Sequence, residues 1–491
     1  MKSADVTVFA GSMILSFVMA TQGQTQELTA TSALASAPLR QQPTPWTVMI
    51  YGGVDSTAES YILPQLEALK KASRTGLVGE VVLLMDRVKG ASKDKKILGA
   101  DFDDTQLFRL TKGRWERVAG GAEFPEITLS STYEANTGDP RTLKKFIRFA
   151  KQEFPGKRYA LLLFGHGESR SACPDTSSEC ADSGEFEDPL FTAEISEGLT
   201  QSEAVDVLWV DTCSFGGIEN AYQFRPGPDR FHAQVMLTSA SLSSPAPMAR
   251  VLRECGIVRS RKEREVAPSA AAFGKAALNA IADSLGERTP IKQRVERESW
   301  GCYDLSKTEV VKRAVDRLAV AIIEADGRKV IEDIRGWNEV PRTLNYRYKI
   351  DPARWVSSAH FDLYDLARRM RDDARLSQAI REAAGDVARN VDAMVLASVG
   401  KDDFMGFEPG KHGLYVVFPG GVAEMGGSPV WSFFRWYHPF DQRKLRAAFG
   451  NYDWCRDGAT PGNGQVENWF ELLDTWYDVN DESGGMNFYR W

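Results

Sequence analysis

The 491-residue chain predicts an α/β fold: a mostly parallel central sheet covered by helices, with a helix-rich C-terminal extension. Three observations carry this expectation. Continuous apolar runs of strand length recur and stop abruptly at Gly, Asp or His, as strands buried on both faces do. Segments with apolar residues at helical spacing alternate with these runs. Beyond about residue 260 the pattern changes to long helical stretches.

Residues 1–20, MKSADVTVFAGSMILSFVMA, read as a secretory signal peptide. Lys2 supplies the positive start, an almost wholly apolar run follows, and Val18-x-Ala20 resembles a small-x-small cleavage site; Asp5 is atypical there. The run is short for a membrane-spanning helix, which needs about 20 apolar residues. A short N-terminal anchor is the alternative, and no stable membrane insertion is expected once a signal is removed. Residues 21–45, rich in Thr, Ser, Ala, Gln and Pro, read as a flexible linker.

Folding signals begin at Trp46. WTVMIYGG (46–53) predicts a buried strand, 61–72 a helix through Ile62, Leu66 and Leu69, and EVVLLMDR (80–87) a second buried strand. Strands follow at 105–110 and 114–118. Asp139-Pro140 marks a helix start, with Asp139 as N-cap and Pro140 at the first helical position. RYALLLFG (158–165) is the third buried strand, 168–187 a polar loop, and 189–199 a short helix. AVDVLWVD (204–211) and AQVMLTSAS (233–241) are further strands, with helices at 216–224 and 247–255. These elements make up a core of residues 46–258. The region 259–491 is helical and mixed, with long helices at 262–287, 307–325 and 362–398, a late strand at 413–421 and a helix at 465–478.

Lys and Arg number 60 against 67 Asp and Glu, a net charge of -7, so the chain lacks the basic footprint of a nucleic-acid binder. Six cysteines stand at 173, 180, 213, 255, 302 and 455. Cys173 and Cys180 are close enough in sequence to bridge in an exported protein. If Cys213 works as a thiol, the other five cannot all pair.

In open parallel sheets ligands bind beyond the carboxyl ends of the strands. Two strands end there in reactive residues: LLLFGHG in His166, and VLWVDTC in Cys213. A thiolate is the reactive form of Cys, and an imidazole is suited to take its proton. Of five histidines only His166 sits at a glycine-flanked strand end. Gly165 and Gly167 would let backbone approach a ligand. The Gly167 and Cys213 amides are candidate oxyanion donors, where one such donor is worth roughly 3–4 kcal/mol. Asp211 has two readings: a cap for the following helix, or the floor of a pocket that selects Arg or Lys at the cleaved bond.

These segments together resemble the clostripain family of cysteine peptidases, which share the caspase–gingipain type of fold. WTVMIYGGVDSTAESYILPQLEAL, YALLLFGHG and DVLWVDTCSFGGIENAYQF are similar to the family's opening unit, catalytic His-Gly strand and nucleophile segment. CYDLSK (302–307), FDLYDLARRM (361–370) and HGLYVVFPGG (412–421) are similar to its later blocks. The resemblance implies His166 as general base, Cys213 as nucleophile and Asp211 in a pocket for basic residues, hence protein or peptide substrates cleaved after Arg or Lys. It implies maturation in the loop between His and Cys, where residues 169–187 offer only Arg170 as a basic residue. It departs at His166-Gly167-Glu168-Ser169, where a second glycine is missing and Glu168 adds negative charge. No cofactor is required by it. Calcium, which some relatives need, would find Asp182, Glu185, Glu187 and Asp188 without EF-hand spacing; a solvated acidic loop is the plainer reading. The resulting expectation is a secreted or periplasmic cysteine endopeptidase. The alternatives are a secreted binding protein that keeps the fold, with the C-terminal aromatics (Trp431, Trp436, Tyr437, Trp454, Trp469 and Trp476) at a ligand surface, and a serine hydrolase, for which Gly-x-Ser-x-Gly is missing.

Overall fold

The computed structural model describes residues 42–477 apart from 89–90, 131, 177–187, 261–264, 287–297, 337–341, 347, 352–353, 357–358, 402–405, 419–451 and 461–462. The signal and most of the linker, Cys180, Asp182, Glu185, Glu187, Trp431, Trp436 and Tyr437 lie outside the described residues.

In chain order the strands are β1 (Thr47–Val54), β2 (Glu80–Arg87), β3 (Thr105–Thr111), β4 (Arg114–Val118), β5 (Tyr159–Phe164), β6 (Gly167–Glu168), β7 (Ser171–Asp175), β8 (Asp188–Phe191), β9 (Val205–Asp211), β10 (Ala233–Ser239), β11 (Ser299–Asp304), β12 (Tyr348–Asp351), β13 (Arg354–Val356), β14 (His360–Asp362), β15 (Val395–Gly400) and β16 (Tyr415–Val417). Nine of them form one sheet, ordered β15-β11-β10-β9-β5-β1-β2-β3-β4. The central strands β2, β1, β5, β9 and β10 run parallel. Antiparallel pairing closes both flanks, through β3 and β4 on one side and β11 and β15 on the other.

The apolar runs are continuous because both faces of the sheet are covered. Along β5, Leu161 and Leu163 enter one core while Leu162 and Phe164 enter the other. Helices Glu59–Ala72, Met248–Glu254 and Ala270–Gly286 cover the second face; Pro140–Glu153, Thr308–Glu324 and Gln378–Met394 are among those covering the first. Asp139 caps the Pro140 helix as expected, accepting from the Arg141 N–H at 2.8 Å. The Asp-Leu blocks have a similar local cause. Asp304 accepts from the Ser306 N–H and Asp362 from the Asp365 N–H, so each Asp caps the helical turn that follows it.

Four expectations are corrected. The border at residue 258 does not end the sheet, because β11 and β15 from the following region extend it. The expected 362–398 helix is two helices, Leu363–Asp372 and Gln378–Met394, followed directly by β15. The polar 168–187 segment contributes a hairpin, β6–β7, that continues to β8 in a small three-stranded sheet. The late strand is short, and pairs with β14 outside the main sheet.

Candidate active site

β1 has β2 on one side and β5 on the other, so successive connections leave it in opposite directions. The crevice outside the carboxyl ends at such a reversal is where open α/β sheets place their ligands. Across it, Gly52 of β1 is in register with Phe164 of β5, and Phe164 with Asp211 of β9. His166 and Cys213 each stand two residues beyond that pair. Neighbouring strands lie about 4.8 Å apart, so the paired strand ends put both residues at the same edge of the sheet.

Glycine spacing tightens the approach. A Cβ on Gly167 would lie 2.7 Å from Thr212 Cβ and 2.7 Å from the Ser171 carbonyl oxygen. Gly167 is therefore needed so that the loop carrying His166 can touch the residue before Cys213. Gly165 has a different reason from the one expected. A Cβ there would meet the Gly53 carbonyl oxygen at 2.5 Å, so it serves β1–β5 packing rather than a ligand.

The His166 side chain is exposed, and its Nε2 shares a 2.7 Å hydrogen bond with Thr57 Oγ1 from the turn after β1. The Tyr61 ring stands edge-on to the imidazole, with centroids 6.3 Å apart. His232, His360 and His412 do other work. His360 is buried against Tyr415, with its pKa pushed down to about 3 by burial; His412 Nδ1 accepts the Glu408 N–H; His232 contacts the Arg230 carbonyl. His438 is outside the described residues.

Cys213 opens a sharp turn. Ser214 holds φ 54°, a left-handed conformation that non-glycine residues seldom adopt. Around it the Ser214 N–H donates to the Ser241 carbonyl and the Gly216 N–H to Ser239, and Tyr415 Oη donates to the Ser214 carbonyl. Asn220 joins the two loops, donating to the Ser169 carbonyl at 2.6 Å and to Phe215 at 2.9 Å. The Cys213 thiol is half-buried, 4.0 Å from the Ser243 carbonyl oxygen. Burial first, then the charges of Asp211 and Glu298, push its pKa up. The Cys173 N–H donates to the His166 carbonyl. Gly167–Ala172 is the next pair in that ladder and hence a non-hydrogen-bonded one, so the Gly167 N–H points away from β7. The Cys213 N–H donates to no backbone carbonyl among the described residues.

Asp211 ends β9 on the face it shares with Trp209, and is 4% exposed. Its Oδ2 accepts the Ala246 N–H at 3.0 Å. It therefore does not cap the helix after Cys213, whose N-cap is Gly217. Burial, with the Glu298 charge adding to it, pushes its pKa up to about 8. Glu298, missed by sequence reasoning, is 3% exposed; its Oε1 accepts the Ser244 N–H at 3.0 Å and Trp300 Nε1–H at 3.1 Å. Asn220 and Thr57 were missed too. Only Asn220, in the first turn of the helix that follows Cys213, had a local signal.

Other expected residues fall elsewhere. Cys173 is a free, fully buried thiol, and Cys180, the partner expected for it, lies outside the described residues; Cys213, Cys255, Cys302 and Cys455 are also free. Arg170 is packed over the Phe191 ring and paired with Glu168 at 3.0 Å, which is not the state of an open cleavage site. Trp454, Trp469 and Trp476 are core residues, not a ligand surface. The Asp188 carboxylate accepts from Asn136 Nδ2 at 2.6 Å, and no group of acidic, His or Cys residues with metal-holding geometry occurs among the described residues.

Residues 50–476 match the sequence profile of the clostripain family of peptidases, C11. The chain belongs to the clostripain family. It is 32% identical to clostripain of Hathewaya histolytica over 475 residues, 91% of this chain and 89% of that one. With this membership it is a cysteine-type endopeptidase. Among solved structures it is similar to a secreted C11 cysteine protease from Bacteroides thetaiotaomicron in complex with an irreversible peptide inhibitor. That pair has 15% identity and a TM-score of 0.50, over 82% of this chain and 98% of the other. The likeness is one of fold, and the mostly parallel sheet flanked by helices is the caspase-like arrangement expected. An inactive zymogen C11 protease from Parabacteroides distasonis is similar at 17% identity and TM-score 0.49, over 85% and 99% of the two chains.

Proposed function

We propose that this clostripain-family enzyme hydrolyses peptide bonds after Arg or Lys through a Cys213–His166 dyad, and that it acts after export. The observation that carries the reading is the register: His166 and Cys213 follow the paired residues Phe164 and Asp211 by the same two steps on adjacent strands. Burial raises the pKa of the Cys213 thiol, and this supports a general-base role for His166.

In the first step His166 takes the Sγ proton as the sulfur attacks the scissile carbonyl carbon. The carbonyl oxygen becomes an oxyanion facing the Gly167 and Cys213 amides. The C–N bond then breaks, the proton on His166 passes to the leaving amine, and a thioester remains. Water gives a proton to His166 and adds to the thioester; the C–S bond breaks and the proton returns to sulfur. Asp211, one residue from the nucleophile's neighbour and lacking an ion partner among the described residues, is the negative group a P1 guanidinium or ammonium would meet. No helix among the described residues is long and apolar enough to cross a membrane, and the export assignment rests on the N-terminal 20 residues.

The test is hydrolysis of fluorogenic peptides with Arg, Lys or Asp at P1, with and without iodoacetamide. Arg or Lys cleavage that is lost on alkylation and in Cys213→Ala, at unchanged thermal stability, is the expected result. Activity retained in Cys213→Ala would overturn the nucleophile, and cleavage after Asp would overturn the pocket.

A further inference from the structure

β11 runs antiparallel to β10, so it begins at the edge where β9 and β10 end. Glu298, the residue before β11, is thereby delivered to the side of Asp211. The two carboxylates hold the same short piece of chain. Asp211 accepts the Ala246 N–H and Glu298 accepts the Ser244 N–H, each at 3.0 Å. Two residues of extended chain span at most about 7 Å, which bounds the separation of the two amides. The same piece of chain reaches the nucleophile: the Ser243 carbonyl lies 4.0 Å from Cys213 Sγ, and Ser243 Oγ donates to the Thr212 carbonyl.

Neither carboxylate forms an ion pair among the described residues, although each is more than nine-tenths buried. Two buried acids that form no ion pair are costly to ionise unless a cation arrives. Each also resists ionisation: burial and the neighbouring Glu298 charge raise Asp211, and burial raises Glu298, with the Lys401 charge partly offsetting it.

We propose that Glu298 is a second specificity-determining carboxylate, which with Asp211 forms a two-acid site that favours a P1 guanidinium over an ammonium. This rests on the assignment of Asp211 to the P1 pocket. A guanidinium is planar and carries five N–H donors in a fixed fork, so it can engage two separated carboxylates at once; an ammonium is a compact charge that one carboxylate satisfies. Binding Arg would draw both acids into their ionised forms and release protons.

Glu298→Gln separates charge from architecture, because the Gln carbonyl can still accept the Ser244 and Trp300 N–H groups. The measurement is kcat/KM for matched peptides with Arg, Lys and citrulline at P1, in wild type, Glu298→Gln and Asp211→Asn, with the iodoacetamide alkylation rate as a check on the nucleophile. The expected result in Glu298→Gln is a loss of about tenfold or more for Arg, carried by KM, less than about threefold for Lys, and no loss for citrulline. The pH at which the Arg-to-citrulline ratio rises should also move down, since Asp211 has lost its negative neighbour. Asp211→Asn losing Arg hydrolysis while Glu298→Gln stays within twofold of wild type would overturn the second acid and leave the pocket standing. Equal losses for all three substrates would reduce Glu298 to a support for the loop and overturn the proposal. Wild type indifferent to P1 charge would overturn the pocket assignment itself, and Glu298 with it.

Discussion

Gly167 shows how strictly one residue can be constrained by its neighbour's position. With Thr212 Cβ and the Ser171 carbonyl each 2.7 Å from any added Cβ, Gly167→Ala must push the His166 loop away from Cys213. The expected outcome is a loss of stability of about 1–3 kcal/mol together with a fall in kcat of at least tenfold, checked by denaturant unfolding and by steady-state kinetics. Asp211 gives a second prediction at this scale. Its pKa in the free enzyme is pushed up to about 8, mainly by burial, and only the ionised form attracts a P1 Arg. The ratio of kcat/KM for Arg and citrulline peptides, which cancels titration of the dyad, should therefore rise between about pH 6 and pH 9. A flat ratio would mean that Asp211 is already ionised in the free enzyme or lies off the P1 contact.

At the scale of elements, the helix after Cys213 is anchored by polar side chains on several sides. Asn220 ties it to the His166 loop, and Glu219 Oε1 accepts the Val417 N–H from β16 at 2.8 Å. Burial pushes the Glu219 pKa up to about 8. The group ionises near pH 4.3 when unfolded, so its contribution to stability is complete below that pH and is lost as pH rises through about 8. Glu219→Gln keeps the acceptor and removes the titration. It should be more stable than wild type by about 1–3 kcal/mol at pH 8.5, with little difference at pH 4. Urea unfolding at the two pH values checks this, and an equal effect at both would rule out the carboxyl's titration as the cause.

At the scale of the whole molecule, the edge that carries His166 and Cys213 depends on chain that lies far along the sequence. β11 and β15 complete the sheet, Trp300 sits fully buried beside Asp211's partner Glu298, and the Thr308–Glu324 and Gln378–Met394 helices cover one face. A fragment of residues 42–258 would leave β10 as an unpaired edge and that face partly bare. It should show no cooperative thermal transition by circular dichroism, whereas residues 42–491 should. A sharp transition in the fragment would show that the first half folds as a unit.

The sequence by itself determined the five parallel strands, their alternation with helices, and the two strand ends that carry His166 and Cys213. These features are local: an apolar run of strand length and the residue that stops it lie within about ten positions of each other. Only the tertiary structure decided strand order, the register that aligns His166 with Cys213, and the arrival of Glu298, Thr57 and Asn220 at the same edge. Pairing is a long-range choice. Glu298 precedes a short strand in a region whose sequence pattern is mainly helical, and nothing in RESWGCYD states that it runs antiparallel beside β10. Cys173 marks the same limit from the other side. Its nearness to Cys180, which lies outside the described residues, suggested an exposed loop bridge; packing instead sets the Cys173 thiol in the core against the end of β5, where the Phe164 carbonyl lies 3.5 Å away. Local pattern names the elements and their reactive ends; packing of distant segments decides which charges and hydrogen-bonding groups surround them.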